Sequence, residues 1–363
     1  MIEPFNLQEN QQSIETAWRQ KTLMSAEILG RAAKHLMRPE VIHDRSRLDL
    51  MWCESALGVR GPTNTAGRFE FVKVSKIDTV NSGIERMIEV LQTRPPPLQL
   101  SQLRFRHNLS TSKSGLWIDT SNEQIKALID EGDWLRFFLG LGWTIEAGQK
   151  HKEFVLCDDG RLSFEPAKTQ CWLASYDHNN NEIPIESLVS LFSQPGPEAN
   201  RALLAAGFDL LSDQLIPETW GFAEWGAGSG NLTAAFASHF KGQSIASELE
   251  AAAAECLKSN CERFFTHVRS DCKAAEVGFT NPLETKVDLW ILDPPRPGFG
   301  RLLTHLDSLT KKPAAILIYH CHNKGLITDS LLLKNMRYKL VDWISVDIFP
   351  ATPHHEVVSL WIL

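Results

Sequence analysis

Apolar and polar positions alternate along this chain in three successive rhythms. From Glu9 to Met37 apolar residues recur at near-helical spacing in a stretch rich in Ala, Leu, Gln and Glu, with no proline before Pro39. That pattern predicts an N-terminal helical segment over residues 1–40. From about Val41 to Pro184 the period changes. Arg47-Leu48-Asp49-Leu50-Met51-Trp52 and Arg68-Phe69-Glu70-Phe71-Val72-Lys73-Val74 alternate as strands do, around a turn from Gly61 to Gly67. A helix is predicted from Val80 to Leu91, ahead of Pro95-Pro96-Pro97, with further strands at Leu100–Phe105 and Gly115–Ile118. The polar run Asp177-His178-Asn179-Asn180-Asn181-Glu182 reads as a linker, so residues 41–185 form a smaller α+β module.

In residues 186–363 the rhythm is regular. Apolar runs of strand length recur at Trp220–Trp225, Ser244–Ser247, Thr266–Ser270, Val287–Leu292, Ala314–Tyr319, Leu340–Ile348 and Val357–Leu363. Helical segments such as Asn231–His239 and Glu250–Phe264 separate most of them. Alternating strands and helices predict a parallel sheet covered on both faces. The last two strands are joined by only Phe349–Glu356, which permits an antiparallel hairpin but no crossover helix. A seven-stranded, mostly parallel, Rossmann-like α/β sheet ending in such a hairpin is the class I methyltransferase arrangement.

Composition narrows the class without deciding it. The 363 residues suffice for two domains, and 43% hydrophobic with 22% charged residues is a soluble balance. No apolar run reaches membrane-spanning length, and Met1-Ile2-Glu3-Pro4 opens neither a basic nor an apolar targeting region, so a cytoplasmic protein without membrane contact is expected. The cysteines, Cys53, Cys157, Cys171, Cys256, Cys261, Cys272 and Cys321, are odd in number and contain no CxxC pair. A disulfide framework, a zinc ribbon and an iron–sulfur cluster are therefore not expected. A net charge of −7 restricts any nucleic-acid footprint to local basic patches.

Two constellations carry chemistry. The run Glu224-Trp225-Gly226-Ala227-Gly228-Ser229-Gly230-Asn231 closes the first strand of the regular sheet and opens a helix. Glycines there let a ligand approach the backbone, and the helix start supplies unpaired N–H groups. Glu248 ends the next strand, where a carboxylate accepts hydrogen bonds from ribose hydroxyls, and Asp271 ends the third, placed to meet an adenine. The ExGxGxG spacing departs from the dinucleotide GxGxxG, which favours S-adenosylmethionine over a pyrophosphate cofactor. Taken alone, the glycines fit a ligand-free strand-to-helix turn equally well.

The second constellation lies at later strand ends. The fourth strand runs into Asp293-Pro294-Pro295-Arg296-Pro297-Gly298, a rigid loop at the ligand-binding edge of an open sheet. The fifth runs into His320-Cys321-His322-Asn323, an accessible cysteine whose flanking imidazoles would lower its pKa if protonated. Phe349-Pro350-Ala351-Thr352-Pro353-His354-His355-Glu356 joins the final strands. Adjacent histidines rarely aim at one ion and no third ligand is obvious, so no metal site is expected.

DPPR, a cysteine after the fifth strand and FPxTxHxE together resemble the RNA (uracil-5-)-methyltransferase family, whose usual signatures are DPPR-x-G, SCNP and FPxTxHVE. Phe192-Ser193-Gln194-Pro195-Gly196-Pro197-Glu198-Ala199-Asn200 is similar to that family's F-[TF]-Q-x-N-x-x-x-N, and Arg45-Ser46-Arg47 to a short R-x-R element of its RNA-facing module. The resemblance covers roughly residues 40–363, strongly in the last 175. It implies Cys321 as the nucleophile on C6 of a uracil, Glu356 as the base that removes the C5 hydrogen, and Arg296 as a donor to O4. Asp293 would orient the ring or the cofactor. Gln194, Glu224, Gly226, Gly228, Gly230, Glu248, Asp271 and Asp293 would bind S-adenosylmethionine, and Arg45, Arg47 and Arg60 would hold RNA phosphates. The Gln-Pro pair, with neither an N-terminal β-barrel segment nor cluster cysteines, is closer to the tRNA-modifying branch. A monomer acting on a T-loop uridine is implied, with rRNA the other substrate.

The chain departs from the signatures in several places. SCNP is His320-Cys321-His322-Asn323, FPHT is FPAT, the middle of HVE is His355, and the glycine turn differs from DLYCGxG. Two other classes remain open. One is a methyltransferase for a base nitrogen or a small molecule, since DPPR is similar to [DN]PP[YFW] with Arg296 in the aromatic place. The other is an inactive RNA-binding relative, favoured by the altered motif and acidic charge.

Overall fold

The computed structural model describes residues 11–39, 44–53, 55–63, 69–74, 77, 79–148, 151–272, 287–300, 303–304, 306, 309, 311–349 and 355–363. Most of the Gly61–Gly67 turn and the segment Pro350–His354 lie outside these residues. In chain order the described elements are α1 (Gln11–Leu29), β1 (Leu36–Met37), β2 (Arg47–Cys53), β3 (Ala56–Thr63), β4 (Phe69–Lys73), α2 (Ser82–Thr93), β5 (Leu100–Asn108), β6 (Lys113–Asp119), α3 (Asn122–Asp130), α4 (Asp133–Gly140), β7 (Thr144–Ala147), β8 (Lys152–Leu156), β9 (Leu162–Pro166), β10 (Gln170–Tyr176) and β11 (Glu182–Ser187). There follow α5 (Pro197–Ser212), β12 (Gly221–Trp225), α6 (Asn231–His239), β13 (Ser244–Glu248), α7 (Ala251–Phe264), β14 (Val268–Cys272), β15 (Val287–Leu292), β16 (Ala315–His320), α8 (Asn323–Asn335), β17 (Lys339–Val346) and β18 (Glu356–Ile362).

These elements divide into two compact units, one of residues 1–6, 41–173 and 186–197, the other of 7–40, 174–185 and 198–363. The division departs from a three-part chain with a boundary near 185. The N-terminal helix belongs to the second unit, because Trp18, Thr22 and Ser25 are buried on it, and it stops at Leu29 rather than Met37. Gly30 in the left-handed region (φ 72°) donates to Ala26 O at 2.8 Å and ends the helix. The polar run at 177–182 is a hairpin turn: Asp177 accepts from the main-chain N–H of Asn179 and Asn181 at 2.9 and 2.8 Å, and Asn180 takes φ 65°.

The first unit is built on a sheet ordered β4-β3-β2-β5-β6-β7-β8-β9. Alternation sorts its side chains cleanly. Leu48, Leu50, Leu103, Phe105, Leu116, Ile118 and Ile145 pack under α2, α3 and α4. The intervening positions carry Arg47, Asp49, Arg104, Arg106 and Glu146 on the other face. That charged face is covered by the segment after β11. Glu146 accepts from Val189 N and Ser190 N at 2.7 and 2.9 Å, Arg104 and Arg106 donate to Leu191 O, and Arg47 donates to Ser193 O at 2.9 Å. Asp49 accepts from Arg47 and Arg104, both at 2.7 Å.

This arrangement revises the expectation for Arg45 and Arg47. Arg45 Nε is spent on Arg47 O at 2.9 Å, and Arg47 is tied to Asp49 and Ser193 with its guanidinium over the Phe192 ring. Both are turned into the protein rather than held out to phosphates. Arg60, on β3, is exposed.

The second unit is built on a sheet ordered β1-β17-β18-β16-β15-β12-β13-β14. All of its pairings are parallel except those of β18, which is antiparallel to β16 and β17. The seven expected strands and the terminal hairpin are present, and β1 adds a short parallel edge beside β17. One face packs against α5, α6 and α7 through Leu203, Leu210, Phe236, Leu257, Leu289, Leu317, Tyr319 and Leu360. The other packs against α1 and α8 through Leu29, Trp225, Trp290, Ile318, Leu326, Leu333 and Trp361.

The charged face of the first unit generates a stability test. Glu146 is fully buried, as is the Arg106 guanidinium, whose pKa burial pushes well below its usual value. Glu146→Gln leaves three neighbouring arginines facing Asp49 alone, and should lower the unfolding free energy by about 3 kcal/mol or more in urea titration. An unchanged midpoint would show that this face does not depend on buried pairing.

Candidate active site

Period-two alternation explains how the second unit gathers its polar residues. On β12 Phe222 points to the α5–α7 face, so Glu224 does too. On β13 Ala246 sets the same face for Glu248, and on β18 Val358 and Leu360 set it for Glu356. The antiparallel register pairs Tyr319 with Val358 and His320 with Val357, the last pairing of β16 with β18, and Cys321 and Glu356 are the residues next to it. Glu224, Glu248 and Glu356 share one face of the sheet by alternation, and Asp293 and Cys321 follow the ends of β15 and β16 at the carboxyl edge of the parallel strands.

Electrostatics confirm the proximity. Cys321 is pushed up to about 12, first by burial and then by the charges of Glu356 and Asp293, with Arg296 acting in the opposite sense. Glu356 is pushed up to about 8 by burial and then by Asp293. Asp293 rises to about 7 through burial, and Glu224 to about 8 through burial, countered by a hydrogen bond from Thr233 Oγ1 and reinforced by Asp293 and Glu248. The structure thus brings Cys321, Glu356, Asp293 and Arg296 into one electrostatic neighbourhood. The thiol's pKa is thus raised, not lowered as expected from its flanking imidazoles. His322 Nδ1 accepts from Lys324 N at 3.0 Å as the N-cap of α8, and His320 points to the opposite face.

That opposite face holds a residue the sequence did not single out. Asp329 of α8, fully buried, accepts from Phe299 N at 2.9 Å, Gly300 N at 2.7 Å and His320 Nε2 at 3.1 Å. A carboxylate only accepts, so Nε2 carries the proton. One side chain therefore staples the loop after Arg296 to the strand end before Cys321. Gly298 (φ 84°) is required there, since a Cβ would meet Asp329 oxygens at 2.7 and 2.8 Å. The only sequence signal was an acid nearly two turns into the helix that follows the cysteine.

The glycine turn is shaped by backbone conformation. Gly226, Gly228 and Gly230 have φ of 78°, 56° and 100°, and a Cβ on Gly228 would meet nothing within 4 Å. Space is therefore open beside this backbone. Glu248 accepts from Gly228 N at 2.8 Å, Leu249 N at 2.7 Å and Glu250 N at 2.8 Å. Three donors fix the carboxylate, and its remaining lone pairs can take hydroxyl protons. Asn200 and Asn231 exchange amide hydrogen bonds at 2.8 Å, pinning α5 to the first residue of α6. Asp271 is the next-to-last residue of β14, falls on the opposite alternation and pairs with Arg269 at 3.3 Å. Gln194 is buried within the first unit. An open cradle beside positive-φ glycines, with buried carboxylates short of cationic partners, fits a nucleoside that carries a positive charge. S-adenosylmethionine is such a molecule.

Among the described residues no group of His, Cys, Asp and Glu has metal-holding geometry, and no helix is long and apolar enough to cross a membrane. His354 lies outside the described residues.

Comparison with known proteins places the chain. No protein-family model matches it. An RNA methyltransferase of Bdellovibrio bacteriovorus is 24% identical over 329 residues, 88% of this chain and 81% of that protein. The 23S rRNA (uracil(747)-C(5))-methyltransferase of Proteus mirabilis is 28% identical over 189 residues, 52% of this chain and 48% of that protein. Among solved structures, the Pyrococcus abyssi tRNA (uracil-54, C5)-methyltransferase in complex with S-adenosyl-L-homocysteine superposes with a TM-score of 0.64, covering 96% of this chain and 83% of that one at 16% identity. At that identity the superposition establishes the fold, an α/β class I methyltransferase. In sequence and in fold, the chain fits the RNA (uracil-5-)-methyltransferase family.

Proposed function

We propose that this chain, an S-adenosylmethionine-dependent RNA methyltransferase, methylates C5 of a uridine through a covalent bond between Cys321 and C6. The observation that supports the reading is that Cys321 and Glu356 flank the last pairing of neighbouring strands, and that the charges of Glu356 and Asp293 act on the Cys321 thiol. C5 of a neutral uracil is a weak nucleophile, and addition of sulfur at C6 makes it an enolate carbon. When bound, the cofactor supplies an electrophilic methyl group. Cys321 forms the S–C6 bond, Glu356 takes the C5 proton, and the C5=C6 bond re-forms as the sulfur leaves. Arg296, exposed after the Pro-Pro step, would donate to O4, and Asp293 would orient the ring or the cofactor. Glu224, Glu248 and the glycine turn hold the nucleoside. The uridine leaves its stack to enter the site. Arg60 and exposed groups of the first unit would meet the RNA backbone, and the protein acts as a monomer.

An adduct assay separates this reading from its rivals. With 5-fluorouridine RNA and cofactor, the protein should form a complex that survives a denaturing gel, and Cys321→Ala should abolish it. Glu356→Gln should trap the same complex on ordinary uridine, because proton removal is blocked. Turnover without any complex would point to nitrogen methylation, and neither would point to an inactive relative.

The pH dependence follows from the same groups. Glu356 acts as a base only when ionised, so kcat/KM should rise as pH passes through about 8. Glu356→Gln should remove that limb from the rate of adduct release. A flat profile from pH 6 to 9 would exclude Glu356 as the base.

A T-loop uridine of tRNA is the favoured substrate, because the Gln194-Pro195 pair is closer to the tRNA-modifying branch. The rRNA match in sequence makes 23S rRNA the second reading. Methyl incorporation into a tRNA transcript should exceed that into a 23S rRNA fragment by at least tenfold, and the reverse preference would select rRNA.

A further inference from the structure

The signature departures around the cysteine and the glutamate meet on a single hydroxyl. Ser25 of α1 is fully buried, and its Oγ lies 3.2 Å from Asn323 Oδ1 and 3.0 Å from His355 Nε2. A serine hydroxyl has one proton to give and lone pairs to accept with. Asn323 Oδ1 can only accept, so it takes that proton, and His355 must donate from a protonated Nε2. Asn323 follows Cys321 by two residues, and His355 immediately precedes Glu356. The family signatures have proline and valine at these two positions, neither of which offers a side-chain hydrogen bond. Both replacements are polar, and both reach the same serine.

The serine is itself held firmly. Thr22 Oγ1 and Trp18 Nε1 reach Ser345 Oγ at 3.0 and 3.3 Å, so two sites on α1 grip β17. Asp347, fully buried just beyond β17, receives Lys21 Nζ at 3.6 Å and Arg38 at 3.5 Å, and the Arg38 guanidinium covers the Trp18 ring at 4.7 Å. At the far end Lys334 of α8 caps Leu29 O at 3.4 Å. The β16–β18 ladder, by contrast, ends at His320 and Val357, so no main-chain pairing beyond it fixes Cys321 against Glu356.

We propose that Ser25 is a positioning residue. It ties the strand end that carries Cys321 to the strand end that carries Glu356, and so makes the N-terminal helix part of the active-site framework. The inference rests on the proposed roles of Cys321 and Glu356, and it adds a residue nearly three hundred positions away in sequence. Without the hydroxyl, Asn323 and His355 lose their common partner and the two reacting groups drift apart. Displacement of about 1 Å costs on the order of a hundredfold in rate.

The test uses the full-length protein, with Ser25→Ala, Ser25→Thr, His355→Val and the double variant Ser25→Ala/His355→Val. The first readout is single-turnover adduct formation on 5-fluorouridine RNA, alongside KM for RNA, cofactor affinity and Tm. Ser25→Ala should slow adduct formation by roughly ten- to a hundredfold, with KM and cofactor affinity within about twofold and Ser25→Thr restoring most of the rate. The double variant should be no slower than the slower single variant, since both act through one contact. The second readout needs neither RNA nor cofactor: iodoacetamide alkylation of Cys321, followed by peptide mass spectrometry. Loosening the tie should expose the thiol and speed its alkylation about threefold or more. A wild-type rate of adduct formation and of alkylation in Ser25→Ala would overturn the proposal, as would fully additive losses in the double variant. A wild-type protein that forms no adduct sinks the assigned chemistry instead, and the alkylation measurement then decides the role of Ser25 alone.

Discussion

Buried negative charge at the carboxyl edge of one sheet is the constraint on which the second unit depends. Alternation brings Glu224, Glu248 and Glu356 to one face, and Asp293 and Cys321 follow the ends of β15 and β16 at the same edge. Burial strips these carboxylates of solvation, and at Glu224 and Glu356 neighbouring charge adds repulsion, which is why Glu224, Asp293 and Glu356 all hold their protons to unusually high pH. Such a set has a reason to exist when its natural occupant carries positive charge. The rest of the unit keeps the strand ends from relaxing away from this arrangement. Asp329 staples the loop after the prolines, Glu248 fixes the glycine turn, and the asparagine pair holds α6 where it begins.

The first unit uses charge in the opposite way. Its arginines at alternate positions of β2 and β5 form a buried face neutralised by Asp49, Glu146 and main-chain carbonyls. Desolvated guanidinium groups require such partners, and a covering segment rich in carbonyls supplies them. Arginine spacing of two was visible in the sequence as Arg45-Ser46-Arg47, and it predicts a shared sheet face. It carries no information on whether that face meets a nucleic acid or another part of the same unit.

The same distinction governs what else could be read from the sequence. The parallel strands and the final hairpin were legible because their periods are local, and the short connection between β17 and β18 excludes a crossover. Glu248 was legible because it follows the glycine turn by one strand. The two-residue strand β1 was not, since so short a run has no period of its own. The split of the β10–β11 hairpin across the unit division was hidden for a related reason: a polar turn looks the same as a linker. Asp329, Tyr319 and Ser25 escaped notice because each matters through a partner distant in sequence. Gly207 illustrates the point: a Cβ there would strike the Tyr319 hydroxyl at 2.0 Å, a constraint no local pattern encodes.

The altered residues around Cys321 then take on physical meaning. Two histidines beside a cysteine suggest thiol activation, yet one caps a helix and the other is bound to a buried aspartate. The thiol's pKa is instead pushed up to about 12, first by burial and then by Glu356 and Asp293, a poor state for a nucleophile. Arg296 is the opposing influence, and a cation seated against Asp293 would add to it by Coulomb attraction. Proton loss from the thiol and from Glu356 would then both become easier once positive charge enters the site. The two imidazoles, occupied by a helix start and a buried aspartate, leave that task to Arg296 and to any positive charge the site admits.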